Sequence, residues 1–121
     1  MQVFLRRALF ALLVLLPTAA QAETITFWMA SDHPYPVGLE FSSADEPGRY
    51  WPGDGMSYPL DDYEPHSFVL NCRTGERICY GAWEKDGSVR WGAGYQQDRH
   101  CEDCCYECVG QETELITLQA P

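Results

Sequence analysis

The chain has 121 residues and sets 18 Asp+Glu against 8 Lys+Arg, a formal charge of −10. Such a surface repels nucleic acid and anionic membranes, which excludes both as partners, and it favours solubility. The length allows one domain with a modest core.

The first element is a targeting segment. Arg6 and Arg7 supply a basic start, Ala8–Leu16 is an apolar run, and Pro17 breaks it. Small residues at Ala20 and Ala22 complete an A-x-A cleavage pattern. The run is shorter than the roughly 20 residues a membrane-spanning helix needs. Residues 1–22 are therefore expected to be a removed signal peptide. Residues 23–121 then form a single disulfide-rich β domain, exported to a periplasmic or extracellular space and without a membrane anchor. Loss of Arg6 and Arg7 leaves six Lys+Arg against eighteen Asp+Glu, a formal charge of −12.

Strand signals dominate the remainder of the chain, as period-two alternation punctuated by Gly, Pro and Asp. Ile25, Phe27 and Met29 alternate against Thr24, Thr26 and Trp28. Pro34 and Pro36 end that run, since proline cannot donate to a ladder. Val37, Leu39 and Phe41 form a second alternation, Arg49–Trp51 a short third strand, and Pro52–Pro59 an irregular loop.

A three-stranded meander is expected over residues 66–93. With Gly75-Glu76 as a two-residue turn, Cys72 falls opposite Cys79 and Phe68 opposite Trp83. With Lys85-Asp86-Gly87 as a three-residue loop and Gly87 left-handed, Trp83 falls opposite Val89 and Gly81 opposite Trp91. Phe68, Leu70, Cys72, Cys79, Gly81, Trp83, Val89 and Trp91 then share one face. Gly81 would make room there for the Trp91 indole, and Ala82 would lie on the other face. Thr113–Leu118 reads as the last strand. The expected fold is all-β: a small antiparallel sandwich of about six strands stapled by disulfides, with a partly open barrel as the alternative.

Six cysteines, Cys72, Cys79, Cys101, Cys104, Cys105 and Cys108, all lie in the exported part. An even number in a short exported chain points to disulfides. A Cys104–Cys105 bond would force neighbouring Cα atoms below the usual disulfide separation. The hairpin register favours Cys72–Cys79, leaving the C-x-x-C-C-x-x-C cluster to pair within itself. Loop entropy favours the opposite scheme, in which Cys72 and Cys79 bond to the cluster. Metal binding is the rival use of these sulfurs. The two C-x-x-C hooks abut, so one ion could not easily take all four, and a set such as Cys101, Cys104 and His100 is sterically easier. Redox use is disfavoured by the acidic neighbours Glu102, Asp103 and Glu107, which oppose a thiolate.

Other chemistry is sparse. Asp61, Asp62 and Glu64 form an acidic patch that is a solvated face or, alternatively, a cation site or a hydrolase carboxylate pair. No nucleophile or EF-hand motif is present. Trp51 and Tyr58 flank the irregular loop, and Trp28 stands off the apolar face of its strand. These three are the candidate platform for a protein or glycan partner. The functional expectation is an exported binding or structural module with no catalytic residues and no cofactor. A cysteine-based metal-binding protein and a small hydrolase are the alternatives.

Overall fold

A computed structural model describes residues 22–121. The expected signal segment lies outside the described residues apart from Ala22, which opens the first strand. Among the described residues, nine strands build the domain: β1 Ala22–Ser31, β2 Val37–Ser43, β3 Tyr50–Trp51, β4 Tyr58–Leu60, β5 His66–Arg73, β6 Arg77–Glu84, β7 Arg90–Gly92, β8 Cys105–Glu107 and β9 Glu112–Leu118. They form two sheets and no closed barrel. The smaller sheet has the order β5-β1-β9. In the larger, β2 and β6 are central, with β3 and β4 beside β2 and with β7 and β8 beside β6. All pairs are antiparallel except β1 with β9.

The core lies between the sheets. Alternation puts Ile25, Phe27 and Met29 on the inner face of β1, and Val37, Leu39 and Phe41 on that of β2; all six are fully buried. Phe27 and Phe41 meet across the gap with ring centroids 4.5 Å apart, and Tyr106 of β8 meets Phe27 edge-on at 5.4 Å. Each such ring contributes about 1.5–3 kcal/mol by leaving water.

The expected meander is only half present. β5 and β6 are consecutive but belong to different sheets. β5 pairs with β1 over eight positions, placing Leu70 opposite Ile25 and Phe68 opposite Phe27. That long ladder aligns two apolar alternations on one inner face, which a β5–β6 hairpin would have set beside each other in one layer. The chain changes sheet at a tight turn centred on Thr74-Gly75, closed by the Glu76 amide donating to Arg73 O at 2.9 Å, with Gly75 at φ +82°. Glu76 is a corner residue rather than a hairpin residue. Its buried carboxylate accepts from the Arg73 amide at 3.1 Å and faces Arg49 Nε at 3.0 Å.

The β6–β7 hairpin forms one residue out of the expected register. Ala82, not Gly81, lies opposite Trp91, and Trp83 opposite Arg90. The Glu84 amide donates to Val89 O at 3.0 Å, so the loop holds four residues, 85–88. Gly87 is not left-handed. It supplies space instead: a Cβ there would stand 2.7 Å from the Glu84 carboxylate, which reaches back to His33 at 2.9 Å. The one-residue shift moves Trp91 onto the face of Ala82. Pairing with β2, which sets Ala82 opposite Leu39 and Gly81 opposite Glu40, puts Ile78 and Ala82 in the core, while Cys79, Gly81 and Trp83 point to the opposite side of the sheet. The space for an indole is at Gly38, whose Cβ would lie 2.8 Å from the Trp83 ring.

Candidate functional site

The outer face of the larger sheet is covered by a strap, residues 93–104, that returns from β7 to β8. Gly81 lets it approach, because a Cβ there would collide with Gly94 O. The strap then makes a left-handed turn at Tyr95–Gln97, with Gln96 and Gln97 at φ 48° and 59°. Positive φ is uncommon for residues other than glycine, and polar contacts hold these two there. The Gln96 amide donates to Glu40 Oε1 at 3.1 Å, and Gln97 Nε2 donates to Ser42 Oγ at 2.9 Å and Ser43 O at 3.2 Å. Asp98 accepts from the Tyr95 amide at 2.9 Å, and Tyr95 meets Trp83 edge-on at 4.9 Å. Glu40, on the outer face of β2, is 5% exposed, and burial pushes its carboxyl above the ordinary glutamate value.

Disulfides complete the attachment: Cys72–Cys108, Cys79–Cys105 and Cys101–Cys104. This corrects the expected Cys72–Cys79 bond. That pairing needed a β5–β6 hairpin, and the change of sheet at Gly75 removes it. Cys72 instead crosses the core to Cys108, 36 residues on. Cys79 and Cys105 are directly opposite on β6 and β8, with Cα atoms 3.9 Å apart. The Tyr80 amide donates to Cys104 O, so the two cysteines form a non-hydrogen-bonded pair, the closer type in an antiparallel ladder.

Beside these sulfurs is an open cleft of about 490 Å³. Cys79, Cys101, Cys105 and Ala93 contribute to its wall, Arg77 and Arg99 contribute its cations, and His100 also lines it. Glu102 is its one carboxylate; the side chain is 81% exposed and faces His100 Nε2 at 3.4 Å. Among the described residues, Arg49, Arg73 and Arg90 pair with carboxylates, whereas no carboxylate lies within 4.0 Å of the charged nitrogens of Arg77 or Arg99. Arg99 Nη1 instead donates to Arg90 O at 2.8 Å, which aims the guanidinium.

The residues singled out from sequence are scattered. Trp51 is half-buried, its Nε1 donating to Asn71 O at 3.1 Å with Arg49 stacked over its ring. Tyr58 is half-buried against Phe41 and Phe68, and burial raises its hydroxyl pKa. Trp28 lies on the outer face of the smaller sheet, where Leu115 is its partner on β9. Asp61, Asp62 and Glu64 are exposed, and Asp62 accepts from His66 at 2.8 Å. His100 is exposed, and the sulfurs gathered most tightly are those of Cys79, Cys104 and Cys105, all within 4.8 Å of one another. With every cysteine in a disulfide, a metal would need two of those bonds opened to obtain thiolates.

Arg77, Arg99 and Glu40 were not singled out from sequence. Two of them carried a signal: Arg77-Ile78-Cys79 and Arg99-His100-Cys101 each set an arginine two residues before a cysteine, in a chain poor in cations. No protein-family model, curated protein or solved structure matches the chain.

Proposed function

We propose that this chain is an exported, disulfide-stapled β-sandwich that acts as a binding module, receiving the carboxylate of a ligand or partner in the cleft beside the strap. The observation that carries the reading is the placement of Arg77 and Arg99. On a strongly acidic molecule, these two arginines without carboxylate partners line the same cleft. A guanidinium offers paired donors that match a carboxylate, and the two guanidiniums offset locally the negative charge that repels anions elsewhere on the surface. The even set of disulfide-bonded cysteines supports export to an oxidising compartment.

Titration of the ¹⁵N-labelled protein with citrate tests the reading. Amide shifts are expected at Arg77, Gln97, Arg99 and His100, and they should vanish in an Arg77→Ala/Arg99→Ala double variant. Shifts spread over the surface, or equal in the double variant, would overturn it. Export is tested separately by N-terminal sequencing of the protein from the medium or periplasm. Glu23 is the expected first residue, and an intact Met1 would reject the signal peptide.

A further inference from the structure

The sulfurs in this cleft do not fit two independent staples. Cys101 is partly exposed and lines the cleft, whereas Cys104, its partner, is fully buried and does not. Cys104 Sγ lies within 4.8 Å of both sulfurs of the neighbouring Cys79–Cys105 bond. The Cys101 carbonyl sits 3.5 Å from Cys104 Sγ and 3.6 Å from Cys105 Sγ, so the two bonds pack on one backbone group.

We propose that the cleft is a thiol–disulfide exchange site for a small thiol carrying a carboxylate, with Cys101 as the point of attack and Cys104 as an internal relay to Cys79–Cys105. The substrate class rests on the proposed carboxylate binding; the sulfur transfer rests on the sulfur geometry alone. The acidic residues nearest in sequence argue against a thiolate at the cluster, but Arg77 and Arg99 line the same cleft as Cys101 and Cys105, and nearby cations favour thiolate.

Every step conserves atoms and electrons. A small thiol RSH loses its proton to solvent, and RS⁻ attacks Cys101 Sγ. An RS–Cys101 bond forms, the Cys101–Cys104 bond breaks, and its electron pair leaves on Cys104 Sγ. The Cys104 thiolate attacks Cys79 Sγ, forming Cys79–Cys104 and releasing Cys105 as thiolate, which takes a proton from water. Attack on Cys105 would instead join chain neighbours, closing a strained eight-membered ring across the single peptide bond between them, whose planar trans form resists it. A second RS⁻ attacks the substrate sulfur of the mixed disulfide, giving RSSR and the Cys101 thiolate, which takes a proton from water. Two equivalents of thiol are oxidised and one protein disulfide is reduced. Cys72–Cys108 takes no part: Cys108 is fully buried, Cys72 nearly so, and neither lines the cleft.

The test is limited reduction of the folded protein with N-acetylcysteine, then acid quench, alkylation and mapping of peptides without further reduction. Alkyl groups are expected on Cys101 and Cys105, with Cys79–Cys104 and Cys72–Cys108 intact. Alkylation of Cys101 and Cys104 with Cys79–Cys105 intact would overturn the relay, as would opening of Cys72–Cys108 at the same rate. In Cys104→Ala, Cys79–Cys105 should open at least about tenfold more slowly at the same thiol dose, because its internal attacker is gone; an unchanged rate overturns the relay. The carboxylate is tested by comparison with uncharged 2-mercaptoethanol at matched thiolate concentration. N-acetylcysteine should react about tenfold faster at low salt, and Arg77→Ala/Arg99→Ala should erase that preference. Equal rates in the wild type overturn the anionic substrate, the citrate titration judges carboxylate binding separately, and the peptide map alone judges the relay.

Discussion

The two faces of the larger sheet are sealed by different means. The inner face is closed by apolar packing around Phe27, Leu39, Phe41 and Ile78, all fully buried. The outer face is covered by a polar strap lying on Glu40, Ser42 and Gly81 and tied down by Cys79–Cys105. Its apolar cluster is small, built on Cys79, Ala93 and Cys104. Apolar burial scales with area, so the inner face carries the stability of the fold. The outer layer has too little apolar area to hold itself and depends on covalent and polar ties. It is also where the open cleft lies, and such a cleft is compatible with a layer that is tied rather than packed.

The contrast is tested most strongly at the inner face. Phe27→Ala removes the ring shared by Phe41 and Tyr106 and should cost about 3–5 kcal/mol in denaturant unfolding. A loss below about 1 kcal/mol would mean that the disulfides, not the core, hold the fold. The staples come next and should be graded by loop length. Replacing Cys72 and Cys108 by alanine opens a separation of 36 residues, worth about 4 kcal/mol in the chain-entropy model. Replacing Cys101 and Cys104 opens a separation of 3 residues, worth about 1.5 kcal/mol. Equal losses in the two double variants would contradict the division of labour, since Cys101–Cys104 would then be a structural staple too.

Legibility in the sequence divides along the same line. The alternation of Ile25, Phe27 and Met29, and of Val37, Leu39 and Phe41, is a local signal, and both runs became inner-face strands. Partner choice is not local. Phe68, Leu70 and Cys72 do share a face, but with β1 rather than β6, because an eight-position ladder across the chain outcompetes a nearby hairpin. The hairpin at Lys85 slipped by one residue because Gly87 answers to the Glu84 carboxylate and not to a left-handed turn. Loop entropy pointed to the right kind of cysteine pairing, because it needs no register. The Cys72–Cys79 pairing failed with the register on which it stood. The cleft was the least legible part: Arg77 and Arg99 come from distant segments, and the charges inside the 101–108 cysteine cluster, Glu102, Asp103 and Glu107, have the opposite sign.

A smaller effect separates the faces by pH. Glu40 is buried under the strap, and burial raises its pKa above the ordinary value of 4.5. Between that unfolded value and the higher folded one, the folded state binds more protons than the unfolded state, so stability falls as pH rises through the window. Above the window the cost of the buried charge is present in full; below 4.5 it is gone. Glu40→Gln keeps an oxygen for the Gln96 amide and removes the charge. It should raise the unfolding midpoint at pH 7 and lose that advantage towards pH 4. A variant less stable than wild type at pH 7 would mean that the carboxylate charge holds the strap, contrary to its burial.

The smallest effect lies on the loop before β5, away from both layers. His66 Nε2 faces Asp62 at 2.8 and 2.9 Å, and this hydrogen bond holds the Asp62 carboxyl below its ordinary value of 3.8. A depressed carboxyl contributes stability above the unfolded value and loses it as pH falls through the folded one, so the window lies below 3.8. Both side chains are open to water, which screens the pair. His66→Ala should therefore move the Asp62 titration upward, visible by carboxyl-carbon NMR, and leave the unfolding midpoint at pH 7 nearly unchanged. A large loss of stability instead would place this loop among the elements that hold the sandwich, and the acidic patch could no longer be read as a solvated face.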